Sequence, residues 1–546
     1  MAQIHFNDVS RKLKGSLQSQ FVNDKFATVA TPENVLTPDN LRRVYQSLAV
    51  SEGVVELEST IDEEEFAQIV QREKVHTFLA VLLYANCSAH AVWTFVSKLV
   101  PPDNHDDAEP PYSLPADKKY LQRLFDNDGE TVTSFYQAQP HFSTVVLRAG
   151  ENVKVRNDEM CPLPYREDKK IGDGSFGNVF KVKIVKGHFI TNGNPNTSDV
   201  EVARKDYVYE DNAKQSFEDE IKAMAKISGG ILTHDNILQN FCTLEIEGTT
   251  PKFSLFMPLA IMDLNTYMNS DRNTMDTDAR RRLIRSALGL ARGLQHLHGG
   301  IETRDGDRLV CYHMDLKPAN ILLFPDERRG DEPPHEDDRI WKISDFGISR
   351  VKEIQKNTGR DKVLDLRQLF KSTEKESGAS ATRNRRGRGT YLPSEAEMSS
   401  REMNHKSDVW SLGCVISELF TYMEEGSEGL DRYSKKRLQQ SRERADVFYQ
   451  TSKFGNGYGM NTEVHSQHKR LIKTAERRWS WEGEAVADML EFLENKVLQP
   501  DKNKRCNAAE VASVLKKTGD SYRIRDPGAA VSTKKWLKSN VKRLFP

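Results

Sequence analysis

The sequence is poor in cysteine, with six residues in a chain of 546, and no two of them form a C-x-x-C pair. They lie far apart, at positions 87, 161, 242, 311, 414 and 506. This spacing argues against a zinc site and against a disulfide framework. We therefore expect reduced thiols, as in a cytosolic protein, with a nuclear location as the alternative.

Long apolar runs are also absent. The N-terminus has no apolar signal core, no run could span a bilayer, and the most apolar segment, residues 79–85, is typical of a buried helix. Neither sign of charge dominates, because 79 basic and 80 acidic residues give a net charge of -1. No global field therefore favours nucleic acid or a membrane as a partner. The length and the 37% hydrophobic content predict a soluble globular protein with more than one domain.

The residues with the clearest chemistry lie in two short stretches, CYHMDLKPANILL at 311–323 and IWKISDFG at 340–347. Four side chains carry the pattern: Asp315, Lys317, Asn320 and Asp345. In this spacing the first Asp can position a hydroxyl, the Lys can neutralise phosphate, and the Asn and second Asp can hold Mg²⁺. Together the stretches resemble the catalytic loop and the DFG turn of eukaryotic protein kinases.

Upstream, residues 169–179 read KKIGDGSFGNV and match the glycine-rich loop G-x-G-x-x-G-x-V. An apolar residue precedes the glycines and VFKVKI follows them, which predicts a β-hairpin. Glycines let the backbone approach phosphate oxygens and donate N–H groups to them. The kinase resemblance implies that this hairpin binds ATP through Ile171, Gly172, Gly174, Gly177 and Val179.

Residues 202–205, VARK, resemble the kinase strand that carries the phosphate-binding lysine, here Lys205, with Ala203 beside the nucleotide. The alternative is an exposed strand lysine. The helix predicted over 214–227 places Glu220 on its apolar face. A carboxylate among core positions needs a partner, and the resemblance implies that this partner is Lys205.

The apolar strand at 253–259 is expected to end in the kinase hinge, where Met257 and Leu259 would meet adenine. Pro258 replaces the Glu frequent there and removes one donor N–H, which leaves the hinge register open by one residue.

Further kinase landmarks follow in order: HDNIL at 234–238, an amphipathic helix at 277–297, GTYLPSE at 389–395, SDVWSLG at 407–413 and QPDKNKR at 499–505. The resemblance implies a buried ion pair between Glu395 and Arg505. Most regulated kinases have Arg immediately before the catalytic Asp, whereas this chain has Met314.

Several segments exceed the kinase pattern. Residues 183–200 read as an enlarged hairpin loop, 325–339 as a solvated acidic loop, and 430–481 as a polar, basic expansion without an assigned role. The segment 345–395 contains several Ser and Thr residues followed by RNRRGR at 383–388. That basic cluster could bind acidic substrate, a phosphate or an importin, or it could be a solvated charge run.

Residues 1–150 do not match the kinase pattern. A helix is predicted to start at Thr37-Pro38, one or two helices over 63–100, a short helix at 120–125 and a strand at 142–148. This region is interpreted as a mainly helical accessory region that packs on the kinase, and the alternative is a domain that binds a regulatory protein. Residues 162–166 are predicted to be a short linker.

The resemblance covers residues 165–518 and identifies the chain as a member of the eukaryotic-type serine/threonine protein kinases. It implies an α+β, bilobal fold with a small β-rich lobe at 165–257, a large helical lobe at 261–518, and ATP in the cleft. Residues 519–546 would form a basic tail, either solvated, docked or lipid-bound. The whole-chain layout resembles fungal kinases with a helical N-terminal extension.

The implied reaction transfers the γ-phosphoryl group of ATP, with Mg²⁺, to Ser or Thr hydroxyls of protein substrates, without nucleic acid or a membrane span. Lys317 within DLKPAN favours Ser/Thr over Tyr specificity. The rival from another class is a pseudokinase, which loss of Lys205, Asp315 or Asp345 would favour. A third interpretation makes the N-terminal region the functional part and the kinase its regulated effector.

Overall fold

The computed structural model describes residues 2–19, 25–51, 62–99, 112–155, 160–174, 177–207, 213–228, 233–248, 251–270, 275–302, 308–326, 338–354, 389–397, 403–442, 444–452 and 457–524. The chain divides into two compact units, residues 1–214 with 240–259, and residues 215–239 with 260–546. Within these described ranges, no helix is long and apolar enough to cross a membrane. The Ser/Thr-rich and basic segment at 372–388 and the end of the chain from 525 lie outside them.

Short helices build the N-terminal part of the first unit: α1 (Ala2–Ser16), α2 (Thr31–Val35), α3 (Pro38–Ser51), α4 (Glu63–Arg72), α5 (His76–Tyr84), α6 (Ala89–Lys98), α7 (Lys118–Leu124) and α8 (Gly129–Ala138). Side chains of Asp62, Ser88 and Asp128 accept backbone N–H groups of first turns and so cap α4, α6 and α8. Residues 79–83 of α5 are all buried, as their apolar run predicts. The ring of Phe78 lies 4.5 Å from that of Phe135, which places α5 within the core.

Two predicted elements of this region differ in the structure. Residues 63–98 form three helices where one or two were predicted, because Lys74 (φ 55°) and Asn86 (φ 52°) adopt left-handed backbone that interrupts the run. The strand predicted at 142–148 is limited to β3 (Leu147–Arg148), because residues 139–142 form a 3₁₀ turn that starts at Gln139-Pro140.

A six-stranded sheet follows the helices in the first unit, and its strands are β4 (Asn152–Val155), β5 (Tyr165–Gly174), β6 (Gly177–Ile184), β9 (Val200–Tyr207), β10 (Cys242–Ile246) and β11 (Lys252–Pro258). The strands lie in the order β4-β10-β11-β9-β6-β5. A separate pair, β1 (Gln18–Ser19) with β2 (Lys25–Phe26), precedes it along the chain. Strand pairs are antiparallel except for β4, which lies parallel to β10 at the edge. A side chain at Gly177 would place a Cβ 1.9 Å from the Asp206 carbonyl oxygen, so only glycine fits at the start of β6.

The expected linker at 162–166 is structured at its C-terminal end. Tyr165 begins β5 and is 1% exposed, and its ring packs 6.2 Å from that of Phe256. The sheet also extends further toward the N-terminus than the kinase resemblance does, because β4 supplies residues 152–155.

The enlarged hairpin loop at 183–200 contains β7 (Phe189–Thr191) and β8 (Asn194–Pro195), and β3 pairs in parallel with β7. His188, at the start of this insertion, is 1% exposed. Its Nε2 accepts the backbone N–H of Val29 at 3.1 Å, so its Nδ1 carries the proton donated to the Val145 carbonyl at 3.0 Å. The imidazole therefore joins the helical part to the sheet, and burial lowers its pKa.

We expect the first unit to lose stability in mild acid through His188. Its pKa is lowered from an ordinary 6.5, so the neutral ring stabilises the fold above that value and this contribution is lost as pH falls below it. Protonation of Nε2 removes the acceptor for the Val29 N–H, and the loss of this hydrogen bond should lower the free energy of unfolding by about 0.5–1.5 kcal/mol. Urea unfolding between about pH 7 and 5 should show a smaller loss of stability for His188→Gln than for wild type. Equal losses in the two proteins would contradict this assignment.

The second unit is mainly helical, with α9 (Ala213–Ser228) beginning at the division, then α10 (Leu264–Met268), α11 (Thr277–Gly299), α12 (His405–Gln440), α13 (Thr462–Arg478), α14 (Ser480–Phe492) and α15 (Ala508–Ile524). Its strands are short: β12 (Met262–Asp263), β13 (Ile301–Glu302), β14 (Arg308–Tyr312), β15 (Ile321–Pro325), β16 (Arg339–Ile343), β17 (Arg350–Ile354), β18 (Tyr449–Thr451) and β19 (Tyr458–Met460). Helix α15 continues past residue 519, where the tail was predicted to start.

The polar expansion at 430–481 is folded against the helices of this unit. Helix α12 turns at Gly426 (φ 66°) and runs on to Gln440, and α13 follows after the β18–β19 hairpin. Arg437 is 1% exposed and lies between two aromatic rings, with its guanidinium carbon 4.1 Å from the Tyr433 centroid and 4.2 Å from the Phe448 centroid. A long polar side chain therefore forms the core of this segment.

Candidate active site

The loop between β14 and β15, residues 313–320, is called the Asp315 loop here. The carboxylate of Asp408, in the first turn of α12, accepts the backbone N–H of His313 at 2.8 Å and of Met314 at 2.7 Å. His298 Nε2 lies 2.9 Å from the same carboxylate. Asp408 is 1% exposed, so hydrogen bonds replace the water it loses. The carboxylate also holds Met314 in its left-handed conformation, φ 72°.

Two of the predicted catalytic side chains, Asp315 and Lys317, meet the predicted metal ligand Asn320 on this loop. The Lys317 ammonium lies 3.0 Å from Asp315 Oδ2, and the Asn320 amide donates to the same oxygen at 3.0 Å. Asn320 also donates to the Asp315 backbone carbonyl at 2.8 Å, which fixes the loop around the carboxylate. The Asp315 side chain is 11% exposed, so it keeps access to solvent. A partly exposed carboxylate with fixed donors on one oxygen can orient a hydroxyl and take up its proton.

Asp345 follows β16 and adopts a left-handed φ of 64°. Its neighbour Ser344 donates both its N–H, at 2.9 Å, and its hydroxyl, at 3.0 Å, to the Asn320 carbonyl. His313 Nε2 lies 2.8 Å from the Ser344 carbonyl, and the ring of Phe346 packs 5.1 Å from that of His313. Asn320 and Asp345 therefore lie on chain segments that are bonded to each other.

The residues after α9 hold β16 from its other side. The backbones of Asn236 and Leu238 bond that of Ile343 at 2.9 Å, and the Asn236 amide donates to the Trp341 carbonyl at 2.8 Å. The HDNIL turn therefore anchors the strand that carries Asp345.

The donors on these segments fit a magnesium ion. Asn320 and Asp345 offer amide and carboxylate oxygens, and Mg²⁺ in phosphoryl-transfer sites uses one or two carboxylates together with substrate phosphates and water. In the described part of the chain, no group of three or more His, Cys, Asp and Glu could hold a metal.

The candidate nucleotide residues lie on the sheet of the first unit. Val179 pairs with Lys205 across β6 and β9, and Met257 pairs with Ala203 across β9 and β11. Side chains of paired residues share a face, and so do residues two apart on one strand. The register therefore places all four on the same face: Val179, Ala203, Lys205 and Met257.

The glycine-rich hairpin and the hinge complete this group. Gly174 pairs with Gly177 where β5 meets β6, and Gly172 pairs with Val179 next to a register shift. Ile171 on β5 is 49% exposed, which makes it a large apolar side chain open to a ligand. Leu259 follows β11, whose last residue Pro258 pairs with Val202 and ends the ladder.

Lys205 and Glu220 belong to different units, and their pairing stays a prediction. The Lys205 side chain lies over the Tyr207 ring, 5.2 Å from its centroid. Lys205 is 4% exposed and Glu220 on α9 is 2% exposed, so neither is the exposed charge that the alternative interpretation required. Burial of both groups agrees with opposite charges that have partners.

The predicted Glu395–Arg505 ion pair is confirmed by the geometry. Arg505 donates to the two carboxylate oxygens at 2.5 and 2.8 Å, with Arg505 2% and Glu395 5% exposed. Ser407 donates to the same carboxylate at 3.0 Å, and the guanidinium stacks 5.0 Å from the Trp410 centroid. The pair therefore ties the 389–397 segment to α12 and to the turn before α15.

Removal of Arg505 should destabilise the protein strongly. Arg505→Ala leaves the Glu395 carboxylate buried without its cation, which should lower the free energy of unfolding by about 3–5 kcal/mol. Thermal unfolding should show a clearly lower Tm, whereas Arg444→Ala, an exposed arginine on the same unit, should change little. A melting temperature within about one degree of wild type would show that the pair contributes little.

A second buried network was missed from the sequence. Tyr391 donates to Glu418 at 2.7 Å, and Arg437 donates to Glu418 at 2.8 Å and to Asp446 at 2.6 Å. Burial raises the pKa of Glu418, while Arg437 and the Tyr391 hydroxyl oppose that shift. The signal was Glu418 itself, a carboxylate in the apolar run of α12 that needed a partner.

Comparison with known proteins agrees with this arrangement. A family model described as a protein kinase domain matches residues 165–514, which is more than half of the chain. Among similar curated proteins, a cysteine-rich receptor-like protein kinase 25 from Arabidopsis thaliana is 27% identical, over 54% of this chain and 33% of its own length.

Two further relatives match in the same way. A probable cyclin-dependent kinase 9 from Caenorhabditis elegans is 26% identical, over 47% of this chain and 44% of its own length. A G-type lectin S-receptor-like serine/threonine-protein kinase from Arabidopsis thaliana is 28% identical, over 47% of this chain and 25% of its own length. The chain thus spans less than half the length of these curated relatives.

Proposed function

Because the chain belongs to the protein kinase family, we propose that it transfers the γ-phosphoryl group of ATP to Ser and Thr hydroxyls of proteins. The observation that carries this proposal is the Asp315 loop. Lys317 and Asn320 both bond one carboxylate oxygen of Asp315, and Ser344 bonds the loop to the segment that carries Asp345. Phosphoryl transfer needs mainly positioning and charge neutralisation, and these groups supply both.

Asp315 orients the acceptor hydroxyl and takes up its proton. Lys317 already contacts that carboxylate at 3.0 Å, so its ammonium lies within reach of the transferred group and stabilises the charge that develops there. Asn320 and Asp345 would hold Mg²⁺, which supplies charge neutralisation at the phosphates when bound.

Lys205, with Glu220 as its partner, binds the α- and β-phosphates, and the glycine-rich hairpin donates its backbone N–H groups to them. Val179, Ala203 and Met257 share the face of Lys205 and contact the adenine, together with Ile171 and Leu259. The register supports a common nucleotide-facing surface for these residues.

Specificity for Ser and Thr is supported by DLKPAN around Lys317 and by a similar protein whose name describes a serine/threonine kinase. A pseudokinase is disfavoured because Lys205, Asp315 and Asp345 are all present. We further propose a kinase domain at 165–518 and an accessory role for residues 1–150, supported by the bonds of Val29 and Leu147 to His188. A cytoplasmic site of action is part of the proposal.

Substitution of the phosphate and metal residues should abolish transfer without unfolding the protein. Lys205→Met removes the cation, and Asp345→Asn removes the carboxylate but keeps a residue that tolerates its left-handed backbone. Purified variants, assayed with labelled ATP and a generic Ser/Thr substrate, should lose at least about a hundredfold in rate, which is about 2.7 kcal/mol of barrier.

The matched control is Lys183→Met, a partly exposed lysine on β6 without an assigned role. It should retain wild-type activity, and circular dichroism should show that all three variants are folded. Full activity in folded Lys205→Met or Asp345→Asn protein would refute the role assigned to that residue.

The activity should not depend strictly on phosphorylation of the segment between Asp345 and Glu395. Such a phosphate usually neutralises an arginine before the catalytic Asp, and here that position is Met314, which is 7% exposed and uncharged. The opposing argument is that a phosphate could bind the basic cluster at 383–388, but arginine side chains lose conformational entropy when they bind a phosphate.

Purified enzyme treated with phosphatase, and shown by mass spectrometry to carry no phosphate in this segment, should keep a kcat close to that of untreated enzyme. A loss of about a hundredfold or more, equal to about 2.7 kcal/mol, would contradict the expectation.

A further inference from the structure

The charge of the expansion at 430–481 differs from that of the chain. It contains twelve Lys and Arg against five Asp and Glu, while the whole chain is balanced at -1. Such a local excess of one sign is a physical argument about partners rather than about fold.

Several carboxylates in and around this expansion are bound inside it. Asp446 accepts from Arg437 at 2.6 Å, and Glu463 is 8% exposed and lies 3.5 Å from Lys436. Two acids of α12 bind arginines of α13, namely Glu424 with Arg478 at 2.9 Å and Glu425 with Arg470 at 2.8 Å. Each pair uses one acidic and one basic residue, so these contacts do not cancel the excess of basic residues in the expansion.

Three of the remaining basic residues form one row on α13. Lys469, Lys473 and Arg477 are spaced four residues apart and all three are exposed, so they form a ridge along one side of the helix. No hydrogen bond or ion pair joins them to any residue that the structure describes. Arg477 stabilises α13 because a positive charge at a helix C-terminus interacts favourably with the helix dipole. Lys469 and Lys473 are like charges four residues apart, so their repulsion destabilises the helix.

An exposed aromatic residue lies at the end of this ridge. Trp479 is 54% exposed, two residues beyond Arg477, and its backbone N–H bonds the Ala475 carbonyl at 3.0 Å. Tryptophan and arginine are the residues that most often dominate binding energy at protein interfaces. Lys469, Lys473, Arg477 and Trp479 are together called the basic ridge below.

We propose that the basic ridge docks an acidic segment of a protein partner. Lys469 and Arg477 are eight residues apart, about 12 Å along a helix, and about four extended residues cover that distance. The fitting partner segment therefore has acidic side chains at about alternate residues, followed by an apolar residue that packs on Trp479.

Other anionic partners fit less well. Double-stranded DNA binders neutralise about 6–10 phosphates, whereas this ridge offers three cations. Stable anchoring to a lipid surface takes a second signal beside a polybasic patch, and Trp479 is the one large apolar side chain next to these cations that the described structure shows as exposed.

The test measures binding to the full-length protein and does not depend on phosphoryl transfer. The probe is a fluorescein-labelled peptide of about ten residues with alternating Glu and Ser and a terminal Leu, followed by fluorescence anisotropy. Wild type should bind it, and the affinity should fall as salt is raised from about 50 to 500 mM. K469E/K473E/R477E should weaken binding by at least about tenfold, and Trp479→Ala by at least about threefold.

The matched control reverses three exposed charges on another helix, K118E/K119E/R123E on α7, and should bind the probe as wild type does. If the triple ridge variant fails to fold, Lys473→Gln alone should still weaken binding by about twofold or more.

The proposal is overturned if the folded ridge variant binds within about twofold of wild type, or if the α7 control weakens binding equally. It is also overturned if single-stranded DNA or phosphatidylserine vesicles bind through the ridge while the acidic peptide does not.

Discussion

The buried carboxylate of Asp408 determines the position of the Asp315 loop. Its oxygens accept two successive backbone N–H groups, from His313 and Met314, and lie against His298. A buried carboxylate without these donors would cost several kcal/mol, so the loop and the start of α12 fold together. The Asp408 carboxylate therefore fixes the start of the loop, and the positions of Asp315, Lys317 and Asn320 depend on it.

The parts of the site that were predicted from sequence are local. Asp315, Lys317 and Asn320 lie within six residues, so their spacing alone brings them together once a turn forms. The strand that carries Lys205 was placed by the kinase resemblance, which also supplied one contact across a long separation, that of Glu395 with Arg505. The sheet and the helices that follow it agree with the predicted α+β kinase fold.

The contacts that were not predicted either join residues far apart in sequence or involve charged side chains in the interior, where charge is uncommon. The sequence of residues 152–155 does not predict that they pair with β10, about ninety residues later, because strand pairing depends on backbone groups that every residue has. Arg437 was one cation of a polar, basic expansion without an assigned role, yet two rings and two carboxylates enclose it. The left-handed turns at Lys74 and Asn86 were likewise not predicted, because neither position is a glycine.

The parallel pairing of β4 with β10 has a consequence for fragments of this protein. Thr243 and Glu247 of the β10 region donate backbone N–H groups to Glu151 and Val155, and these residues precede residue 165, where the family match begins. A polypeptide expressed from that position would carry an open strand edge, with a row of unsatisfied amide and carbonyl groups. Such an edge is a template for intermolecular sheet growth, so the shortened protein would be expected to self-associate and precipitate where the longer chain does not.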